Sequence, residues 1–248
     1  GLDKAVCQFV IVVISAALSW LVPYVMERVW QLYKLQWVYA GAGILVLLIV
    51  YLTGNESFGA QLSLTFGGFS VQPSEFVKLT FVLFTASMFY QSTDFKTVVT
   101  ATAVAAAHVL IMVLSKDLGG ALIFFITYLL MLFVATNNWF YLGAGTILGA
   151  GASVGAYQLF DHVQRRVLAW SNPWADIDNK GYQITQSLFA IGTGGWFGMG
   201  LCQGMPGKIP VVEKDFIFSA VSEEMGGIFA ICVLLICLGC FIQFMMIA

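Results

Sequence analysis

Apolar residues run almost unbroken through seven stretches of this chain, at about residues 5–22, 37–53, 74–91, 97–115, 118–136, 139–160 and 216–247. A helix needs roughly 20 such residues, each rising about 1.5 Å, to cross a bilayer. Each stretch approaches or exceeds that length, and Ala121 to Ala135 contains neither a charge nor a turn signal. No strand alternation is recognised, and a helix satisfies its own backbone hydrogen bonds in lipid. The pattern predicts an all-α fold, a polytopic membrane bundle of seven transmembrane helices. Six of these occupy residues 1–160, a long polar segment occupies 161–215, and the last helix occupies 216–248.

The connections carry few charges. Glu27, Arg28 and Lys34 lie after the first stretch, a lysine-free loop runs from Thr53 to Gln72, and Asp94, Lys96, Lys116 and Asp117 follow before a tight Asn137-Asn138 turn. The positive-inside rule puts 23–36 and 92–96 in the cytoplasm and therefore 161–215 outside. Pro73 after Gln72 suits a first helical turn, Glu75 suits the positive end of that helix, and Lys78 shares its face. Small residues repeat as GxxxG at Gly145 to Gly149 and Gly151 to Gly155, a spacing that lets helices pack closely.

Composition agrees with a membrane protein: 60% of the 248 residues are hydrophobic, 10% are charged, and the mean hydropathy is +0.89. The net charge of -2, with no basic stripe, leaves a nucleic-acid partner without an electrostatic footprint. Cys7, Cys202, Cys232, Cys237 and Cys240 lack the spacing of a disulfide framework or zinc site, and the Cys237–Cys240 pair lies inside an apolar run where packing explains it. The chain opens on Gly1 and stops directly after an apolar run, as a piece of a longer protein would.

Ionisable groups at membrane depth are expensive and therefore informative. Glu75 and Lys78 form a compensated pair at a helix end. Glu223 and Glu224 sit about two turns into the last span, and adjacent residues on a helix cannot face one partner, so one of them turns toward the bundle interior. His108 stands alone in an alanine-rich span, where a hydrogen-bonded packing role is expected. Lys116 and Asp117 suit a solvated turn and also a surface site built from several loops.

The richest polar chemistry lies in 161–215. Arg165 and Arg166, then Asn172-Pro173-Trp174 with Asp176, then Gly181-Tyr182-Gln183 with Gln186 and Ser187, precede a glycine-rich run from Gly192 to Gly207. Cations suit phosphate, an aromatic platform suits a sugar face, and amides and hydroxyls suit sugar hydroxyls, so the set fits an anionic sugar-bearing ligand at a membrane surface. A plain connection of this length between spans would be unusual.

Together with Gln72-Pro73-Ser74-Glu75 and Lys78, Asp117-Leu118-Gly119, and Asp215-Phe216-Ile217-Phe218 with Glu223, Glu224 and Gly226, these blocks closely resemble the SEDS family, the shape, elongation, division and sporulation proteins. The resemblance implies a ten-helix protein of the bacterial cytoplasmic membrane, here without its first and last two helices, with the large loop outside. It also implies polymerisation of lipid II into β-1,4 glycan strands with release of undecaprenyl pyrophosphate, beside a single-span penicillin-binding transpeptidase. Three positions depart from the family pattern: Ile177 follows Asp176 where proline is common, Ser115-Lys116-Asp117 replaces Gln-Pro-Asp, and Pro210-Val211 replaces Pro-Glu.

In that chemistry the 4-hydroxyl of one sugar displaces lipid pyrophosphate from the anomeric carbon of another. Pyrophosphate leaves readily, so one base suffices where glycosidases use two carboxylates, and Asp176 is the expected general base. Arg165 or Arg166, with Lys116, would stabilise the leaving charge. Asp117, Trp174, Tyr182, Gln183, Gln186 and Ser187 are the other expected substrate contacts, while Glu75, Lys78, Glu223 and Glu224 are membrane charges of structural or functional use. No ligand cluster demands a metal, although magnesium is compatible with pyrophosphate. Two rival classes are a flippase or transporter, in which the membrane charges line a pathway, and a non-catalytic scaffold for a cell-wall synthase.

Overall fold

The computed structural model describes residues 2–28, 30–53, 55–57, 60–66, 69–179 and 181–247, with side chains described for 6–24, 33–53, 72–179, 181–213 and 215–246. The side chains of Glu27 and Arg28, which enter the orientation expectation, lie outside that set. In chain order the helices are α1 (Leu2–Arg28), α2 (Gln36–Thr53), α3 (Pro73–Gln91), α4 (Phe95–Leu114), α5 (Leu118–Thr136), α6 (Trp139–Leu159), α7 (Asp161–Ser171), α8 (Tyr182–Gly194), α9 (Val212–Asp215) and α10 (Ile217–Ile247). All seven apolar stretches are helical. Among the described residues, five segments are long and apolar enough to cross a membrane: Val6–Tyr24, Tyr33–Thr53, Phe95–Leu114, Leu118–Thr136 and Ile217–Met246. The count of seven spans is therefore not reached. Helices α3 and α6 have the length but not the apolar content, since α3 carries Glu75 and Lys78 and α6 is rich in glycine.

The chain divides into two compact units, Gly1–Thr146 and Ile147–Ala248. The first has a core of side chains. Val77, Phe81, Phe84 and Met88 of α3 meet Leu47 of α2, Ala101 and Ala105 of α4, and Phe124 and Tyr128 of α5. Enclosure by these neighbours explains why α3 tolerates a less apolar sequence than a lipid-facing helix needs. The Phe81 and Phe124 rings lie 4.8 Å apart, and His108 stands edge-on to Phe81 at 5.3 Å. His108 is fully buried, with Nδ1 2.9 Å from the Val104 carbonyl, as a packing role requires. A side chain at Gly43 would come within 2.7 Å of His108 Nε2, so this glycine makes room for the imidazole. Gly145 admits Leu129 of α5 in the same way, whereas Gly151 and Gly155 face open space.

Between α2 and α3 the backbone forms a small antiparallel sheet of β1 (Asn55–Ser57), β2 (Ala60–Phe66) and β3 (Phe69–Val71), in the order β1-β2-β3. Glu56 pairs with Gln61, and Leu64 with Val71. This is an addition to the helical bundle. Its signal is the alternation of Leu62, Leu64 and Phe66 with Gln61, Ser63 and Thr65, a period of two that the long apolar runs overshadow.

The α4–α5 connection is a helix stop followed at once by a helix start. Asp117 N–H donates to the Met112 carbonyl and Lys116 N–H to the Val113 carbonyl, a Schellman pair with Lys116 in the left-handed region at φ 59. Asp117 then caps α5, its Oδ1 accepting from Gly120 N–H at 2.9 Å.

In the second unit, 161–215 is folded rather than a loop. Phe160 joins α6 to α7, donating to the Ala156 carbonyl and accepting from Val163 and Gln164 N–H. Helix α8 lies along α10, with Ser187 and Ser219 hydroxyls hydrogen-bonded across the contact. From Gly195 the chain turns back as a strap to Met205, passes a 3-10 turn at Pro206–Lys208, and reaches α9 and α10.

Candidate active site

Asp176 closes a 3-10 turn, Pro173–Asp176, that the sequence dictates closely. Proline at its first position has no N–H to leave unpaired. The Asp176 carbonyl accepts from Gly181 N–H at 2.8 Å, and its Oδ1 accepts from Asn179 Nδ2 at 3.0 Å. A side chain at Gly181 would sit 2.0 Å from the Pro173 carbonyl oxygen, so only glycine lets the chain fold back into α8 here. Thr185 then bonds back to the Gly181 carbonyl at 3.0 Å. Asn172-Pro173-Trp174, Asp176 and Gly181-Tyr182 therefore form one knot, which accounts for their spacing. The Asp176 side chain is half-buried within it.

Helical spacing sorts the other expected contacts on α8 into two stripes. Gln183, Ser187, Ala190 and Gly194 face inward. Gln183 Nε2 donates to the Pro210 carbonyl at 2.7 Å, and Ser187, Ala190 and Gly194 are buried. Gln183 and Ser187 thus fasten α8 in place. Tyr182, Gln186 and Phe189 form the second stripe, with Tyr182 and Gln186 half-buried and Phe189 exposed. Trp174 packs on Phe189 with ring centroids 5.7 Å apart and remains 52% exposed. The turn that carries Asp176 thus borders an aromatic and amide surface.

Arg165 and Arg166 are exposed on α7, which runs through Asn172 directly into the Asp176 turn. Lys116, Asp117, Glu75 and Lys78 belong to the first unit. Lys116 is exposed, Asp117 is engaged as a cap, and Lys78 Nζ pairs with Glu75 Oε1 at 2.7 Å at the start of α3.

Glu223 and Glu224 flank a break in α10 that the apolar pattern does not announce. Gly226 has φ 89 and ψ 166, outside any helical conformation. In a continuous helix Gly227 and Ile228 N–H would bond to the Glu223 and Glu224 carbonyls. Here they donate instead to the Gly195 and Trp196 carbonyls of the strap, at 2.8 and 3.2 Å. The two carbonyls so released accept from Met199 and Gly200 N–H, at 2.9 and 3.0 Å. The strap thus substitutes for both sides of two missing helical bonds. Such contact allows no side chains: a Cβ at Gly194, Gly198 or Gly226 would meet backbone atoms at 2.1 to 2.4 Å. The break falls nine residues after Ile217, about 14 Å along the axis of this 31-residue helix, and 21 residues follow it. The glycines of the 192–207 run thus divide: Gly194, Gly198 and Gly204 are packing positions, and Gly192 and Gly207 face open space. The doublets Gly194-Gly195 and Gly226-Gly227 were the available sequence signal.

Glu223 turns inward and Glu224 stays half-buried, which satisfies the expectation that one of the pair faces the interior. Glu223 is 6% exposed, and its Oε1 accepts from Met205 N–H at 3.0 Å, while Oε2 is buried without a hydrogen-bond partner.

The sequence matches the FtsW/RodA/SpoVE family, described as cell cycle proteins, over residues 3–248. The chain belongs to that family. It is 35% identical over 188 residues to peptidoglycan glycosyltransferase RodA of Mycobacterium tuberculosis, covering 69% of this chain and 40% of the relative. It is 34% identical over 203 residues to stage V sporulation protein E of Bacillus subtilis, covering 78% of this chain and 55% of that one. The chain thus spans about half the length of the curated relatives it matches. A solved chain from a study of polymerization and crosslinking by a peptidoglycan synthase complex superposes with a TM-score of 0.63 and 25% identity, covering 82% of this chain and 58% of that one. With five apolar helices long enough to span, this FtsW/RodA/SpoVE member is a multi-pass membrane protein.

Proposed function

We propose that this chain carries the active site of a peptidoglycan glycosyltransferase that polymerises lipid II at the outer face of the bacterial cytoplasmic membrane. The observation that carries the reading is the Asp176 knot: a carboxylate held by its own turn, which also carries the exposed Trp174 and leads into Tyr182 and Gln186 of α8, in a family whose curated relatives bear that enzyme's name. The acceptor 4-hydroxyl oxygen attacks the anomeric carbon of the donor, Asp176 takes the hydroxyl proton, and the carbon–oxygen bond to undecaprenyl pyrophosphate breaks with its electron pair on the leaving group. Single displacement inverts the α-linked donor to a β-1,4 product. Trp174 offers its exposed face to a sugar, Gln186 and Tyr182 hydrogen-bond its hydroxyls, and Arg165 or Arg166 balances the charge on pyrophosphate. A single-span penicillin-binding transpeptidase, which cross-links the emerging strand, is the expected partner.

The test is polymerisation of labelled lipid II by the intact membrane protein with its transpeptidase. Asp176→Asn keeps an acceptor for Asn179 and loses the base, so the rate should fall about a hundredfold or more while the protein remains folded. Wild-type turnover in that variant removes the assignment. The broken helix with a buried glutamate favours one second reading, a lipid-precursor transporter, because discontinuous membrane helices often form transport sites. Transfer of lipid II across vesicles without polymer would select it.

A further inference from the structure

The Glu223 carboxyl lies against the strap, and the hydrogen bond it accepts comes from Met205 N–H rather than from a residue assigned to chemistry. Its position is nevertheless closely specified. Oε1 holds the Met205 amide, and Gly204 leaves it space, because a Cβ there would lie 2.9 Å from Cδ. From Met205 a short path leads back to the site. Lys208 N–H donates to the Met205 carbonyl, Ile209 N–H donates to the Pro206 carbonyl, and Ile209 is buried. The next carbonyl, of Pro210, takes the Gln183 amide, two residues beyond the Gly181 that locks the Asp176 turn.

We propose that Glu223 is a positioning residue for the transfer reaction: by holding Met205 it fastens the return strap to the break in α10, and through Pro210 and Gln183 it fixes the α8 end that carries the Asp176 turn. This rests on the glycosyltransferase reading only for its kinetic consequence. A buried acid with one unpartnered oxygen is costly to retain in an apolar helix, and apolar side chains would fill the space more cheaply. The carboxyl supplies what they lack, an acceptor for a backbone N–H that has no helix or strand to join. The role needs the acceptor and not the negative charge.

The experiment compares Glu223→Gln, Glu223→Ala and Gly204→Ala in the intact protein, by amide hydrogen exchange of the 196–205 segment and by lipid II polymerisation. Glu223→Gln keeps an acceptor for Met205 and should match wild type in both. Glu223→Ala removes it, so strap amides should exchange about tenfold faster or more, and kcat should fall by a similar factor with KM within about twofold. Gly204→Ala pushes the carboxyl off Met205 without deleting it and should reproduce that pattern, which keeps the question answerable if Glu223→Ala does not fold. Wild-type exchange in both Glu223→Ala and Gly204→Ala overturns the proposal. So does a Glu223→Gln protein that keeps strap protection and loses activity, since the charge itself would then be in use. If wild-type protein makes no polymer, the functional reading fails, and the exchange data alone still decide whether Glu223 holds the strap.

Discussion

The two units are held together by different kinds of surface. In the first, Phe81, Phe84, Phe124 and His108 interlock as side chains, and specificity comes from volume. In the second, the strap and α10 meet backbone to backbone at Gly194, Gly198 and Gly226, and specificity comes from having no side chain. A side-chain core tolerates exchanges that conserve volume, because rotamers can adjust. A backbone contact has nothing to adjust. It also pairs the two amides and two carbonyls that the break in α10 frees, a task the side-chain core does not face.

The sharpest way to break this contrast is to add one methyl group. Gly226→Ala combines φ 89 with backbone atoms at 2.4 Å, and Gly194→Ala drives a methyl to 2.1 Å from the Ser222 carbonyl oxygen. Each should destabilise the second unit by about 3 kcal/mol or more, seen as early loss of hydrogen-exchange protection in α8 and α10. Phe81→Ala should cost the first unit about 3 kcal/mol, and Phe81→Leu less than about 1.5, measured by thermal unfolding in detergent. Equal damage from both Phe81 variants would mean that the first core is as unforgiving as the strap. Gly192→Ala, two residues before Gly194 on the same helix, meets nothing within 4 Å and should stabilise α8 by about 0.5 to 1 kcal/mol. Smallest is Lys116→Gly, which relieves a left-handed lysine and should stabilise the first unit by about 0.5 kcal/mol, seen as a slightly higher melting point.

The contrast also explains what the sequence made legible. Helix positions were readable because lipid solubility is written in every residue of a run: 118–136 was expected and Leu118–Thr136 is found, and 97–115 became Phe95–Leu114. The Asp176 turn is fixed by residues close in sequence, because proline, asparagine and glycine each restrict backbone geometry locally. The role of Ser187 was hidden, since a serine on α8 looks the same whether it meets a sugar or Ser219. The break was hidden for a related reason. Despite Glu223 and Glu224, the run from Ile217 to Met246 is apolar enough to read as one span, and what interrupts it is a segment roughly thirty residues earlier in the chain. The β1–β3 sheet was missed because its alternation is only seven residues long beside much longer apolar runs.

That chain order bears on biogenesis. The ribosome delivers the strap before α10, so for a time the Met199 and Gly200 amides and the Gly195 and Trp196 carbonyls have no acceptors or donors to meet. Hydrocarbon penalises each such group by several kcal/mol, and α8 with its strap must therefore wait in or near water until α10 emerges. Docking of the strap therefore follows the emergence of α10, and the Asp176 turn acquires its final support only then.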